Sequence, residues 1–412
     1  MMAVPDTLAI DGGNPVRHKD FAPWPHYAPD EIAAVTRVLE SGCVNFWTGR
    51  ECEQFEAEYA QYVGVRHAIT LANGTLALEL ALHALGIGPG DEVVVPSRTF
   101  IASASCVVAR GATPVVADID PVSQNLTADT IRAVLSPRTR AIVAVHLAGW
   151  PCEMEPIMAL AREHGLHVVE DCAQAHGARY RGRPVGSFGD AAAFSFCQDK
   201  IVSTGGEGGM LLTNNSALWE KAWAYKDHGK SYAAVFRREH APGFRWLHES
   251  FGSNWRMTEM QAAIGRLQLG KLDKWVAARC SHAAILEACF ASLPGLRVTP
   301  PPLDVMHAYY RYYTFLDLHK LQQGWDQLRV LAAIQAEGVP CNVGSCGEIY
   351  REKAFTEAGL QPAQRLPGAC QLSESSLAFL VHPTLVQQDM QDICAAVAKV
   401  MRVAVKPEYL TC

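Results

Sequence analysis

Through the first half of the chain, short apolar runs rich in Val and Ile alternate with helix-length segments, the pattern of βαβ units that build a parallel sheet. It predicts strands over 92–95, 114–117, 141–145 and 167–170, with helices over 75–85, 100–110, 127–135 and 153–164. Gly86, Gly111 and Gly165 follow three of those helices closely, as C-terminal caps do. Beyond Gly206 come a Gly-rich turn, a strand-like run over 210–213 and a helix from 216 to 228. Residues 228–254 show no periodicity and read as a long loop, a feature that is usually functional in a compact domain. Helical periodicity then runs over 258–290, and Pro300-Pro301-Pro302 breaks it. The remainder mixes a strand over 312–316 with amphipathic helices, which points to a smaller α+β domain.

Composition narrows this little. The 412 residues are 49% hydrophobic and 19% charged, which excludes disorder and fibrous structure and leaves room for a large core. Net charge is −6, and no basic block marks a nucleic-acid or anionic-membrane surface. The thirteen cysteines form no C-x2-C pair of the zinc or thioredoxin kind, and several sit in apolar stretches as small hydrophobes. Residues 1–6 carry no leader pattern, and no apolar run reaches the ~18 residues a membrane span needs. A soluble protein of the reducing cytoplasm, without metal, membrane or nucleic acid, is the expectation.

Open parallel sheets bind ligands beyond the carboxyl ends of their strands. Those positions here are polar: Ser97 and Thr99, Asp118, His146 and Asp171. Asp171 stands out, since an apolar strand carries two adjacent acids into a run of small residues. A second signal is Asn73-Gly74-Thr75 opening a helix that is apolar nearly all round. Its free N–H groups must find acceptors, and a phosphate is one candidate beside an ordinary turn and cap. The third is Lys200, which closes an apolar run and leads into the Gly205–Gly209 turn; such a lysine can be an amine nucleophile or a plain strand-end charge. P-loop, Rossmann and nucleophile-elbow motifs are missing, and the histidines do not cluster with acids at metal spacing.

Taken in order, Ala9-Ile10-Asp11-Gly12-Gly13, the Asn-Gly-Thr helix, Pro96-Ser97-Arg98-Thr99-Phe100, Glu170-Asp171-Cys172-Ala173-Gln174, Ser195-Phe196-x-x-x-Lys200, Glu207-Gly208-Gly209 and Asn254-Trp255-Arg256-Met257 resemble the DegT/StrS-type sugar aminotransferases. That resemblance implies an α/β fold of type I among pyridoxal-phosphate (PLP) enzymes. Its large domain has a mostly parallel central sheet flanked by helices, and a smaller C-terminal α+β domain follows. The corresponding divisions are an N-terminal arm over 1–28, a PLP-binding domain over 29–257, and a connecting helix with the small domain over 258–412.

The resemblance also implies roles. Lys200 would hold PLP as a Schiff base and then shuttle the proton, and Asp171 would pair with the pyridine nitrogen. Phe100 would stack on the ring and Gln174 lie near its 3-oxygen. Gly74, Thr75 and Ser195 would hold the phosphate, with Asn254 reaching that of the neighbouring subunit in a homodimer with shared sites. Cys197 stands where His is frequent in the family, and the intact lysine argues against the branch that dehydrates sugars. The implied reaction moves an amino group from glutamate or glutamine to a keto-sugar, most simply a nucleotide-linked one. A cyclitol or aminoshikimate-type substrate is the near alternative, suggested by Phe21-Ala22-Pro23-Trp24-Pro25, and a catalytically idle PLP-binding regulator the distant one. On the loop, Lys230, Arg237, Arg238 and Arg245 are candidates for a substrate diphosphate, or else solvated surface charge.

Overall fold

The computed structural model describes residues 7–410; the segment 1–6, Thr411 and Cys412 lie outside them. In chain order the first part runs α1 (Pro29–Ser41), α2 (Glu51–Val63), β1 (His67–Leu71), α3 (Gly74–Ala84), β2 (Glu92–Pro96), α4 (Ala102–Ala109), β3 (Thr113–Ala117), α5 (Ala128–Arg132), β4 (Thr139–Val145), α6 (Met154–His164) and β5 (His167–Asp171). It continues with β6 (Arg179–Tyr180), β7 (Arg183–Pro184), β8 (Ala191–Ser195), β9 (Gly209–Thr213), α7 (Ser216–Lys226) and α8 (Tyr232–Phe236). The second part runs α9 (Glu259–Leu269), α10 (Leu272–Phe290), β10 (Leu296–Arg297), β11 (Val305–Met306), β12 (Tyr312–Leu316), α11 (Gln327–Ala336), β13 (Cys341–Asn342), α12 (Lys353–Ala358), α13 (Pro367–Ser375), β14 (Ser376–Phe379) and α14 (Gln387–Ala404).

Seven strands form the main sheet in the order β1-β9-β8-β5-β4-β2-β3. Pairings from β3 through β8 are parallel, whereas β9 runs against both β8 and β1. The carboxyl ends of β1, β2, β4, β5 and β8 therefore share one edge, and β9 starts from it. Helix α3 lies buried against this sheet, with Leu78, Leu80 and Leu82 all out of solvent. The three alanines of β8 give it a low surface to approach. The smaller antiparallel sheet, β10-β12-β14-β13, packs with α10, α11 and α14 around a separate core of Leu286, Phe290, Phe379 and Val397. Residues of the arm join that core through Leu8, and Arg17 ties the arm to Asp389 and Asp392.

Three elements differ from the sequence expectation. The periodic stretch 258–290 is two helices with a break at Gly270-Lys271, because α9 packs on α1 and α2 while α10 turns to meet α14. Residues 127–135 hold only α5, a single turn and a half opened by a Thr127–Thr130 capping box. The 228–254 loop contains α8 and is closed at its base by antiparallel bridges between Asp227 and Asn254 and between Lys230 and His248. Among the described residues no helix is long and apolar enough to cross a membrane.

Candidate active site

A cavity of about 790 Å³ opens at the carboxyl edge of the main sheet, where residues of the second part of the chain close over it. Gly74, Thr75, Phe100, Asp171, Gln174, Ser195 and Lys200 all line it, so four separate sequence segments converge on one space.

At its floor, Asp171 ends β5 and is buried. One carboxylate oxygen accepts from Ser103 Oγ at 2.8 Å, the other from the Ala173 N–H at 3.1 Å. Burial pushes this carboxyl above the ordinary range, only partly offset by those two hydrogen bonds. Its side chain makes no ion pair within 4 Å among the described residues, so a ring N–H⁺ would supply the cation it lacks. Glu170, its neighbour, faces the other way. It accepts from the N–H groups of Gly186, Phe188 and Gly189 and lies 3.0 Å from His146 Nε2. Burial raises its pKa, but these donors together hold it below the usual value. His146, Glu170 and Cys172 lie close enough to share a metal ion. However, His146 Nδ1 already accepts the Cys152 N–H and burial keeps the Cys172 thiol protonated, so the cluster reads as a hydrogen-bonded brace.

The phosphate end is built from close backbone approach. A Cβ on Gly74 would fall 2.6 Å from that of Ser195, and one on Gly209 would fall 2.2 Å from the Asn73 carbonyl oxygen. Only glycine lets the α3 N-terminus, β8 and β9 meet so tightly. Asn73 Oδ1 caps the Leu76 N–H at 3.0 Å, which leaves the Gly74 and Thr75 N–H groups at the positive end of α3 for an anion. Ser195 is held from behind: His176 Nε2 reaches its carbonyl at 2.8 Å while His176 Nδ1 accepts from Tyr59 OH at 2.8 Å. Burial drives the His176 pKa down to about 3, so the imidazole stays neutral and donates one way only.

Lys200 sits on the β8–β9 connection with its side chain largely covered, 3.5 Å from Asp199 and 5.1 Å from the centre of the Tyr310 ring. Its carbonyl accepts from Trp24 Nε1 at 2.8 Å, so the N-terminal arm pins the lysine's backbone. Phe100 is 65% exposed at the cavity wall, an apolar face that a flat ring would cover. Gln174 Oε1 accepts the Ala148 N–H at 2.8 Å, which orients the amide and leaves Nε2, 3.4 Å from Ser345 Oγ, turned to the cavity side. A buried acid at one end, helix N–H groups at the other, a lysine beside them and an exposed aromatic face match the donor set PLP requires.

The remaining predicted residues lie elsewhere. Asn254 is exposed and outside the cavity lining. Lys230 pairs with buried Asp227 at 3.2 Å, Arg237 with Glu220 at 3.5 Å and Arg238 with Glu249 at 2.6 Å. None of these three, nor exposed Arg245, lines the cavity of its own chain. Sequence reasoning missed Ser103, whose signal is its place on the inner face of α4. It also missed Tyr310, Arg311, Tyr313, Asn342, Ser345 and Cys346, which the second part of the chain brings over the cavity with no local motif.

Residues 25–398 match the model of the DegT/DnrJ/EryC1/StrS aminotransferase family. A GDP-perosamine synthase of Caulobacter vibrioides is 47% identical over 266 residues, 64% of this chain and 68% of that one. An L-glutamine:2-deoxy-scyllo-inosose aminotransferase of Streptoalloteichus tenebrarius is 35% identical over 97% of this chain and 98% of its own length. Among solved structures, an aminotransferase from Psychrobacter cryohalolentis superposes with a TM-score of 0.90 at 53% identity, covering 92% of this chain and 98% of the other.

Proposed function

The chain belongs to the DegT/DnrJ/EryC1/StrS aminotransferase family and is a PLP-dependent transaminase, and from that premise we propose that it aminates a nucleotide-linked keto-sugar with glutamate or glutamine as donor. Relatives acting on sugars support the amino-sugar class, and the cavity of about 790 Å³ would hold PLP and substrate together. The observation that carries the reading is the joint presence of Lys200, buried Asp171 and the α3 N-terminus in that one cavity.

PLP, when bound, supplies an electron sink for the pair of electrons left when a Cα–H proton departs. The chain's own groups do the rest. Lys200 Nζ takes the proton from the donor carbon and returns one to the carbon of the former carbonyl, acting as general base and then general acid. Asp171, kept charged by Ser103 and Ala173 and by the ring cation opposite, holds that sink protonated. Gly74, Thr75 and Ser195 would hold the phosphate, Phe100 and Gln174 would face the ring, and Asn254 would reach the phosphate of a partner subunit. A diphosphate contact from Lys230, Arg237, Arg238 or Arg245 would have to be made in a partner's cavity, since none of them lines the cavity of its own chain.

Incubating the PLP-loaded protein with L-glutamate or L-glutamine and a panel of nucleotide keto-sugars, with mass spectrometry of the products, tests the reading. The expected product carries one amine in place of the ketone, and Lys200→Ala gives neither product nor the visible band of lysine-bound cofactor. Amination of a keto-inositol but of no nucleotide sugar would favour the cyclitol reading, which the 35%-identical inosose aminotransferase supports.

A further inference from the structure

Two cationic side chains line the cavity, and the reading above uses one of them, Lys200. The other, Arg311, forms no ion pair with any carboxylate among the described residues. Its guanidinium lies 5.3 Å from the centre of the Tyr310 ring, the ring that Lys200 Nζ approaches at 5.1 Å.

Its position is heavily determined. Tyr309, two residues before it, adopts a left-handed φ of 47°, a strained conformation for a tyrosine that persists only where surroundings enforce it. Those surroundings are the Ala308 N–H on the Gly149 carbonyl at 2.9 Å, the Tyr310 N–H on the Ala148 carbonyl at 2.8 Å, and Arg279 Nη1 on the carbonyls of Tyr309 and Tyr310 at 3.3 Å each. Arg279 is itself fully buried, without an acid partner among the described residues, and its Nε and Nη2 find no acceptor. Burial and the neighbouring Arg311 push its pKa down to about 9. Against these two guanidiniums stands Asp199, which already accepts from Tyr310 OH and lies beside Lys200. Asp171, Asp199 and Glu207 line the same cavity, and, despite burial, the charges of Lys200 and Arg311 hold Asp199 below its usual value, but among the described residues no carboxylate oxygen lies within 4 Å of Arg311, whose guanidinium is left to take an anion that arrives with a substrate.

We propose that Arg311 binds the carboxylate of the amino-acid donor in the first half-reaction, with Arg279 as the residue that positions it. This rests on the aminotransferase reading and assigns the donor's place within it. The planar guanidinium suits a carboxylate, which it can grip with two parallel N–H groups. An α-amino acid bears its carboxylate on the same carbon as the reacting amine, so anion and reacting centre must both lie close to Lys200. A sugar diphosphate hangs from the anomeric carbon and not from the carbon that bears the ketone, so it fits a cation further out. The half-reaction balances without an external oxidant: the donor leaves as its 2-oxo acid, having passed its amine and two electrons to the cofactor and taken oxygen from water.

The test is single-turnover kinetics of PLP-loaded protein followed at the visible cofactor band, with donor and acceptor halves measured separately. Arg311→Gln should raise the donor concentration for half-maximal rate about tenfold to a hundredfold, the value of losing charged hydrogen bonds. Arg311→Lys should restore part of it. The aminated sugar, run in reverse, should keep its wild-type concentration dependence. A donor lacking the α-carboxylate, 4-aminobutyrate, should react equally poorly with wild type and variant, and an unchanged cofactor band and melting temperature show that the variant is folded. Unchanged donor dependence in Arg311→Gln overturns the proposal, as does a defect confined to the sugar half, which would make Arg311 a diphosphate ligand. Because the donor half needs no sugar, it can succeed even if the nucleotide-sugar reading fails.

Discussion

At the scale of single residues, the chemistry depends on how Asp171 is kept charged in a buried place. Asp171→Asn removes the charge and leaves the shape, so PLP should still bind while turnover falls about a hundredfold or more, the size of losing one preorganised electrostatic contact. Ser103→Ala removes one hydrogen bond to that carboxylate and should slow turnover by about tenfold with the cofactor band intact. Steady-state rates on the two proteins separate a charge effect from a packing effect, and equal rates in all three would remove Asp171 from the chemistry. Asp171 was legible as a strand-end acid beside small residues and Lys200 as a lysine between an apolar run and a Gly-rich turn, whereas Ser195 came only through the ordered motifs of the resemblance. Ser103 was not legible, since a serine inside an apolar helix carries no pattern, and neither were Arg311 and Tyr310, whose relation to Lys200 exists only after the two parts of the chain meet.

At the scale of elements, the site exists because α3, β8 and β9 approach more closely than side chains permit. Gly74→Ala places a methyl 2.6 Å from Ser195 Cβ and must push the helix N-terminus off the strand. Overpacking of this kind costs about 1–3 kcal/mol, so PLP affinity should fall by roughly tenfold or more while the fold survives. Titration of apoprotein with PLP measures it, and unaltered affinity would mean that α3 does not bind the phosphate. The alternating βα pattern made β2 to β5 legible, because parallel strands are apolar throughout and helices separate them. It missed β1 and could not reveal that β9 runs antiparallel, since a Gly-rich turn says that the chain reverses but not which strand it joins. The α9–α10 break was equally invisible: both helices keep an apolar stripe, and only their different partners require a change of axis.

At the scale of the molecule, burial sets a pH limit, and the proposed division of the site between subunits would set an oligomeric one. His176, His307 and His382 are each pushed by burial from an ordinary 6.5 to about 3. The unfolded chain binds protons there near pH 6.5 and the folded one does not, so stability is full above that value and falls as pH drops towards 3. With three such groups the slope approaches about 4 kcal/mol per pH unit around pH 5. Denaturant midpoints at pH 7.5 and 5.5 should differ accordingly, and a flat profile would mean that these rings are protonated in the fold. The proposed oligomeric limit rests on Asn254, exposed and outside the lining of its own chain's cavity, and on the neighbouring Phe244, Trp246 and Phe251, which are at least 76% exposed. If Asn254 serves a partner's phosphate, Lys200→Ala and Asn254→Ala chains are each inactive alone but complement each other. In a mixed dimer, the Asn254→Ala subunit keeps its own Lys200 and receives an intact asparagine from the other. Random pairing of equal amounts makes half the dimers mixed with one good site each, so co-expressed and separately tagged chains should regain about a quarter of wild-type activity. Activity no greater than the sum of the two separate mutants would mean that each subunit builds its site unaided.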